Sequence, residues 1–205
     1  CAATPAAAPV VNTATSEPLG EPASPAPVAS ASEVVVYASD LPTQALSQLD
    51  VFDDPASPGG KMISLPNNGD ALDPPPENDP QIDFKVPVQS GVPYHCWVHL
   101  KVGEAKGRTT ANVVWVQFSE AVNQANQEVF RQGTKNYLTA QGPTNPGWTW
   151  VGCNAEGSDS LFYFPSNGET TVRIQAGAEG VGIDQFVLSP AKFLNEPPSE
   201  PVVQR

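Results

Sequence analysis

An all-β, jelly-roll β-sandwich preceded by an extended Ala/Pro-rich tether is the fold class that this 205-residue sequence predicts. Three observations carry the prediction. Proline (23) and glycine (16) are too frequent for a helical bundle. Short runs of alternating apolar and polar residues recur between turn signals, with no long stretch of helical period. Val172–Pro190 (VRIQAGAEGVGIDQFVLSP) reads as a strand, a glycine-rich turn and a second strand, the expected closing hairpin of a sandwich.

The elements follow in order. Residues 1–32 hold six prolines and ten alanines. They cannot build a core and predict a low-complexity tether, about 100 Å long at full polyproline extension. The sandwich is expected over residues 33–195. Val34–Tyr37 is a short apolar strand, Ser39–Pro42 a turn and Gln44–Leu49 a helical turn. Asp53–Gly60 reads as a loop, Lys61–Leu65 as a strand and Pro66–Pro80 as a long polar loop. Gln81–Val88 places Ile82, Phe84, Val86 and Val88 on one face. Val92–Val102 is the clearest strand: Tyr94, Cys96, Val98, Leu100 and Val102 alternate with His95, Trp97, His99 and Lys101. Asn112–Phe118 follows, then weaker strands at Glu128–Gln132 and Asn136–Thr139. Trp148–Val151 carries two tryptophans, and Leu161–Phe164 leads into the closing stretch. Residues 196–205 form a Pro/Glu-rich tail expected on the surface.

The net charge of −12 works against binding nucleic-acid phosphates or anionic lipid faces. Between Glu33 and Asp83 ten carboxylates face the single Lys61. Solvated loops account for such a run, and cation binding or a basic partner is its functional alternative. No apolar run approaches the ~20 residues that span a bilayer. The sequence opens on Cys1 followed by small residues, the pattern left when a bacterial lipoprotein leader is removed. It predicts lipidation at Cys1 and a membrane-anchored lipoprotein in the bacterial periplasm or cell envelope. In an exported protein Cys96 and Cys153 are expected as a disulfide, worth about 4 kcal/mol by chain entropy. Two buried free thiols are the alternative.

No catalytic constellation is visible, and the chain is read as a non-enzyme. Patterns for a nucleophile elbow, a zinc protease helix, a paired-cysteine site or a phosphate loop do not occur. His95 and His99 share a strand face about 13 Å apart at strand rise, too far to hold one metal. Glu156 and Asp159 would form a glycosidase pair only by coincidence of folding.

From Val34 to about Pro197 the chain resembles the carbohydrate-binding-module family 6-like, galactose-binding-like jelly rolls. The matching stretches are VVVYASDLP (34–42), GGKM (59–62), SGVPYHCWVHLKV (90–102), NVVWVQFS (112–119), GWTW (147–150) and the Val172–Pro190 stretch. The resemblance implies a structural calcium where the first strand meets the last, at Asp40 and Asp184 with backbone carbonyls. It also implies sugar stacking on aromatic rings. The candidates are Trp97, Trp115, Trp148 and Trp150; Trp97 and Trp115 point away from their strands' core faces, so both either lie on one exposed sheet surface, serving a sugar or a protein partner alike, or are covered by a second layer of loops. Relatives carry an Arg-Glu-Asp-Gly-like turn where this chain has Gly177-Ala178-Glu179-Gly180, and often an aspartate where it has Asn112. Both departures weaken an inherited sugar site.

Two functions are expected. The first is a lipid-anchored accessory subunit that docks its sandwich on other protein subunits of a membrane complex, a photosynthetic or other electron-transfer assembly being a plausible host. The second is a lipid-tethered carbohydrate-binding module that holds polysaccharide near the cell surface.

Overall fold

The structure is a computed structural model that describes residues 1–2, 31–47, 49–65, 80–102, 113–143, 145–156, 160–176 and 181–205. Most of the expected tether, Asn112, Asp159 and the turn 177–180 lie outside the described residues. Within residues 31–205, two antiparallel sheets pack face to face as an all-β jelly-roll sandwich.

The six-stranded sheet runs β2 (Asp50–Asp53), β3 (Lys61–Leu65), β10 (Val181–Ser189), β5 (His95–Val102) and β8 (Gly147–Gly152), with β1 (Val34–Tyr37) also on β10. The four-stranded sheet runs β4 (Gln81–Val88), β9 (Gly168–Ala176), β6 (Val113–Phe118) and β7 (Leu138–Gln141). β10 organises the larger sheet. One edge pairs with β5 along most of its length, and the other is shared by β3, at Val181–Ile183, and β1, at Gln185–Leu188. Its register shifts between Ile183 and Gln185, a bulge that leaves Asp184 as the extra residue.

The strand periods place the core. Cys96, Val98 and Leu100 of β5 and Ile183, Phe186 and Leu188 of β10 face Ile82, Val116, Val172 and Ile174 across the interior. At one end the filling is aromatic: Phe162 lies 4.6 Å from Phe118 and 5.7 Å from Phe164, ring centre to ring centre. Gly59 turns the chain into β3 at φ 67°, where a Cβ would strike the Ser39 side chain, so only glycine fits.

Three expectations change. The Val172–Pro190 stretch is not a hairpin: β9 and β10 belong to different sheets, so the connection crosses from one layer to the other. Glu128–Gln132 makes only isolated bridges. Asp50–Asp53, whose end was read as loop, is an exposed edge strand, while the helical turn is a 3₁₀ turn at Thr43–Leu46.

Candidate functional site

The four tryptophans do not form one exposed surface. Trp97 is on β5 and Trp115 on β6, in opposite sheets, and both are buried. Trp97 lies under the C-terminal residues and donates its indole N–H to the Phe193 carbonyl at 2.6 Å. Trp115 packs on Tyr137, ring centres 5.7 Å apart. Both rings point away from the core between the sheets, and later segments of the chain fold over them and remove them from solvent. Trp148 and Trp150 are half-buried on β8. Both contact the His99 ring, at 4.9 and 4.7 Å between centres, and Lys101 sits over Trp148 at 5.7 Å.

The two carboxylates assigned to calcium have separate partners. Asp40 is exposed and pairs with Arg205 at 2.7 Å. Asp184 is fully buried and accepts from His99 Nδ1–H at 2.7 Å, while its second oxygen has no protein partner. Among the described residues, no group of three or more His, Cys, Asp or Glu side chains is placed to hold a metal. Beside them Lys101 Nζ donates to the buried Asp54 at 2.6 Å. That bond, followed by the Ala56 N–H, holds the Asp54 carboxyl below its ordinary range against the opposing effect of burial. Trp148 lies close enough to help without closing a hydrogen bond.

The structure shows no bond between Cys96 and Cys153. Cys1 is exposed, and Cys96 and Cys153 are buried free thiols. The ladder between β5 and β8 continues one step further, with Cys153 N–H donating to the Cys96 carbonyl at 2.9 Å. The two thiols are neighbours inside the core and interact as thiols. Burial, reinforced by Cys153, pushes the Cys96 thiol well above its usual range.

A site that the tryptophans did not suggest lies at the loop end of the sandwich. A cleft of about 430 Å³ is walled by Asn123, Gln124, Val129, Phe130, Asn136 and Tyr163, among others. Its shape is set from below. Phe118, Phe130, Phe162 and Phe164 pack together, and the bridge from Val122 to Tyr163 ties the two loops. Asn123 Oδ1 accepts from the N–H groups of Ala125 and Gln127, closing the first turn of the loop. Gln117 Nε2 lies at hydrogen-bond distance from three carbonyls, of Arg131, Thr134 and Asn136, which draws the second half together. Phe130 is held at φ 50°, a left-handed conformation unusual for an aromatic residue. Its N–H donates to Asn136 Oδ1 at 3.1 Å and its carbonyl accepts from Phe118 N–H at 2.7 Å. Strain of this kind persists only where surrounding bonds impose it.

After these bonds are made, three polar groups of cleft-lining residues have no protein partner among the described residues: the Gln124 side-chain amide, the Asn136 NH₂ and the Tyr163 hydroxyl. Among the described residues, no charged side chain lines the cleft. By contrast, a larger hollow of about 580 Å³ is lined by Asp40, Asp83, Lys85 and Arg205, whose charges are matched within the protein. The sequence signal for the neutral cleft was the amide-rich run Asn123-Gln124-Ala125-Asn126-Gln127, which carries no motif and no hydrophobic period.

No protein-family model matches this chain. No curated protein matches it either. Among solved structures, it is similar to the C-terminal family 6 carbohydrate-binding module of a laminarinase from Zobellia galactanivorans. That match has 12% identity and a TM-score of 0.48, covering 77% of this chain and 99% of the other. It is similar to a family 35 carbohydrate-binding module from Clostridium thermocellum, with 14% identity and a TM-score of 0.46, covering 76% and 98%. A third similar structure is a Podospora anserina β-(1,4)-mannanase carrying a family 35 module, with 14% identity and a TM-score of 0.49, covering 78% of this chain and 28% of that one.

Proposed function

We propose that this chain is a non-catalytic polysaccharide-binding module whose sugar site is the loop cleft of Gln124, Asn136 and Tyr163. One observation carries the reading: a cleft without a charged side chain among the described residues is lined by residues with unused amide and hydroxyl groups beside an aromatic ring, on loops already fixed by their own bonds. A neutral sugar offers the complement, with hydroxyls that pair with amides and an apolar ring face that lies on tyrosine. A fixed cleft binds without first ordering its loops, which retains affinity that a mobile site would lose. Its volume suits one or two sugar rings.

Docking on a large assembly is the weaker reading. Among the described residues, the exposed large apolar side chains are Val51 and Phe52, adjacent on the edge strand β2. Two side chains fall short of the area that a stable protein interface buries.

The experiment is a glycan-array screen, followed by titration calorimetry on the best polysaccharide. Tyr163→Ala and Asn136→Asp should each weaken binding about 10-fold or more, equivalent to one lost stacking or hydrogen-bond contact. Trp148→Ala should leave affinity unchanged. Binding that survives both cleft changes and disappears with Trp148→Ala would overturn the assignment.

A further inference from the structure

The loop cleft does not stand alone. Phe130 and Asn136 line it, and they also line a second hollow of about 310 Å³, bounded further by Lys135, Tyr137, Thr139 and Glu156. The two hollows share that wall, and its shape is fixed. Asn136 Oδ1 holds the Phe130 N–H at 3.1 Å, and Gln117 Nε2 draws the carbonyls of Arg131 and Asn136 together. The remaining walls of the second hollow are fixed as well. Thr139 and Asn154 exchange both main-chain hydrogen bonds, at 2.8 and 2.9 Å, which joins β7 to the segment that carries Glu156. Tyr137 is backed by the buried Trp115, ring centres 5.7 Å apart.

The second hollow differs from the first in charge. Lys135 and Glu156 are exposed, and neither makes an ion pair or a side-chain hydrogen bond among the described residues. In this they differ from the charges around the larger hollow, which are matched. A sugar hydroxyl is donor and acceptor at once. Neighbouring hydroxyls of one ring can accept from the ammonium and donate to the carboxylate, both as charge-assisted bonds. A charged sugar fits less well. An anionic ring that pairs with Lys135 meets Glu156, and it approaches a protein of net charge −12. A cationic ring that pairs with Glu156 meets Lys135. Each hollow also has one half-buried tyrosine among its lining residues, Tyr163 in the first and Tyr137 in the second. Tyrosine offers an apolar body for a sugar face and a polar tip for its hydroxyls.

We propose that the two hollows form one groove for a stretch of neutral polysaccharide that crosses the Phe130–Asn136 wall, with Lys135 and Glu156 reading the hydroxyls of the units beyond the loop cleft. This rests on the polysaccharide reading of that cleft and adds to it a second subsite and the length of chain recognised. The first cleft suits one or two rings, and the second, at about 310 Å³, about one more. The glycosidic bond gives the units that follow a high effective concentration at the second subsite once the first are seated. Their contacts therefore add affinity without a second cost of association.

The test is calorimetric titration of the full chain with di- to hexasaccharides, prepared by partial hydrolysis of the neutral polysaccharide that a glycan array ranks highest. Affinity should rise at least ~10-fold between the disaccharide and the tetrasaccharide, the gain that a charge-assisted hydrogen bond supplies. The double variant Lys135→Ala, Glu156→Ala should remove most of that rise and leave the disaccharide within ~2-fold of the wild type. Both side chains are exposed, so the fold tolerates their loss, and the length series on the wild type needs no variant at all. Tyr163→Ala should weaken every length alike. Equal affinity for the disaccharide and the tetrasaccharide would overturn the second subsite and leave the cleft reading standing. A rise that the double variant keeps, or an array led by acidic polysaccharides, would overturn it too. Failure of every oligosaccharide and of the polysaccharide to bind would remove the cleft reading and this proposal with it.

Discussion

At the scale of the residue, Asn136 has two duties that a single substitution separates. Its oxygen holds the Phe130 N–H, and its NH₂ has no partner among the described residues on a side chain that lines the cleft. Asn136→Asp keeps an acceptor for Phe130 and replaces the donor with a second acceptor. The melting temperature should move by no more than a few degrees while sugar affinity drops; Asn136→Ala should lower both, the fold by about 1–2 kcal/mol for an orphaned amide. Calorimetry on the two variants checks this, and an equal loss of stability in both would refute the division of labour. Asp54 supplies a pH-dependent contribution whose sign is fixed. Its carboxyl sits below the ordinary value of 3.8, chiefly through Lys101. The ionised form is therefore favoured by folding, and its contribution is present above that value and lost as pH falls through the lower folded one. Lys101 is 42% exposed, so water and salt screen the pair and its effect is modest. Urea midpoints at pH 5 and pH 2.5 should fall further in the wild type than in Asp54→Asn. Equal falls would show that Asp54 is not linked to stability.

At the scale of the element, β10 is the strand the molecule can least afford to weaken. All nine of its residues are buried, the core under one face and the tail over much of the other. Leu188→Ala should cost about 3 kcal/mol, as buried leucine truncations do. Val51→Ala on the exposed edge strand should stay within about 0.5 kcal/mol. Urea denaturation of both variants measures the contrast. This strand also shows what a sequence reveals and what it hides. The alternation of Tyr94 to Val102, and of Ile82 to Val88, identified the core faces correctly because a period of two follows directly from strand geometry. Lys61–Leu65 and Val34–Tyr37 were legible to the residue for the same reason. The period does not say which sheet a strand joins, so β9 and β10 looked like a hairpin. β2 was missed because no face of it is buried and no alternation is imposed. Trp97 read as exposed because nothing local records that a tail more than ninety residues later lies over it. The cleft stayed invisible for a related reason. It is made by loops whose conformation depends on Gln117 and Asn136 reaching across several turns of chain, and such contacts leave no periodic trace.

At the scale of the whole molecule, the two inner thiols report whether the sandwich opens as a unit. Cys96 and Cys153 lie between the sheets with no exposed surface. The raised Cys96 thiol is protonated at neutral pH, and only the thiolate attacks a labelling reagent. Modification therefore requires opening, whereas Cys1 is exposed and should react at once when its thiol is free. Cys153 follows β8, which pairs with β5 alone in its sheet, while Cys96 lies on β5 between two neighbours. Local release of β8 would expose Cys153 first; global unfolding would expose both together. The strand partners favour the second outcome. β1 joins β10, and β4 joins β9, across most of the folded chain, so neither sheet can form or dissolve piecemeal. Labelling followed by mass spectrometry should show Cys96 and Cys153 modified in the same molecules and at the same rate. When opening and closing outpace the chemistry, that rate follows the population of the open state. Leu188→Ala, at about 3 kcal/mol, should then raise both rates about 100-fold. If Cys153 were labelled well ahead of Cys96 and its rate ignored Leu188→Ala, the edge strand would open independently, and the sandwich would not be one cooperative unit.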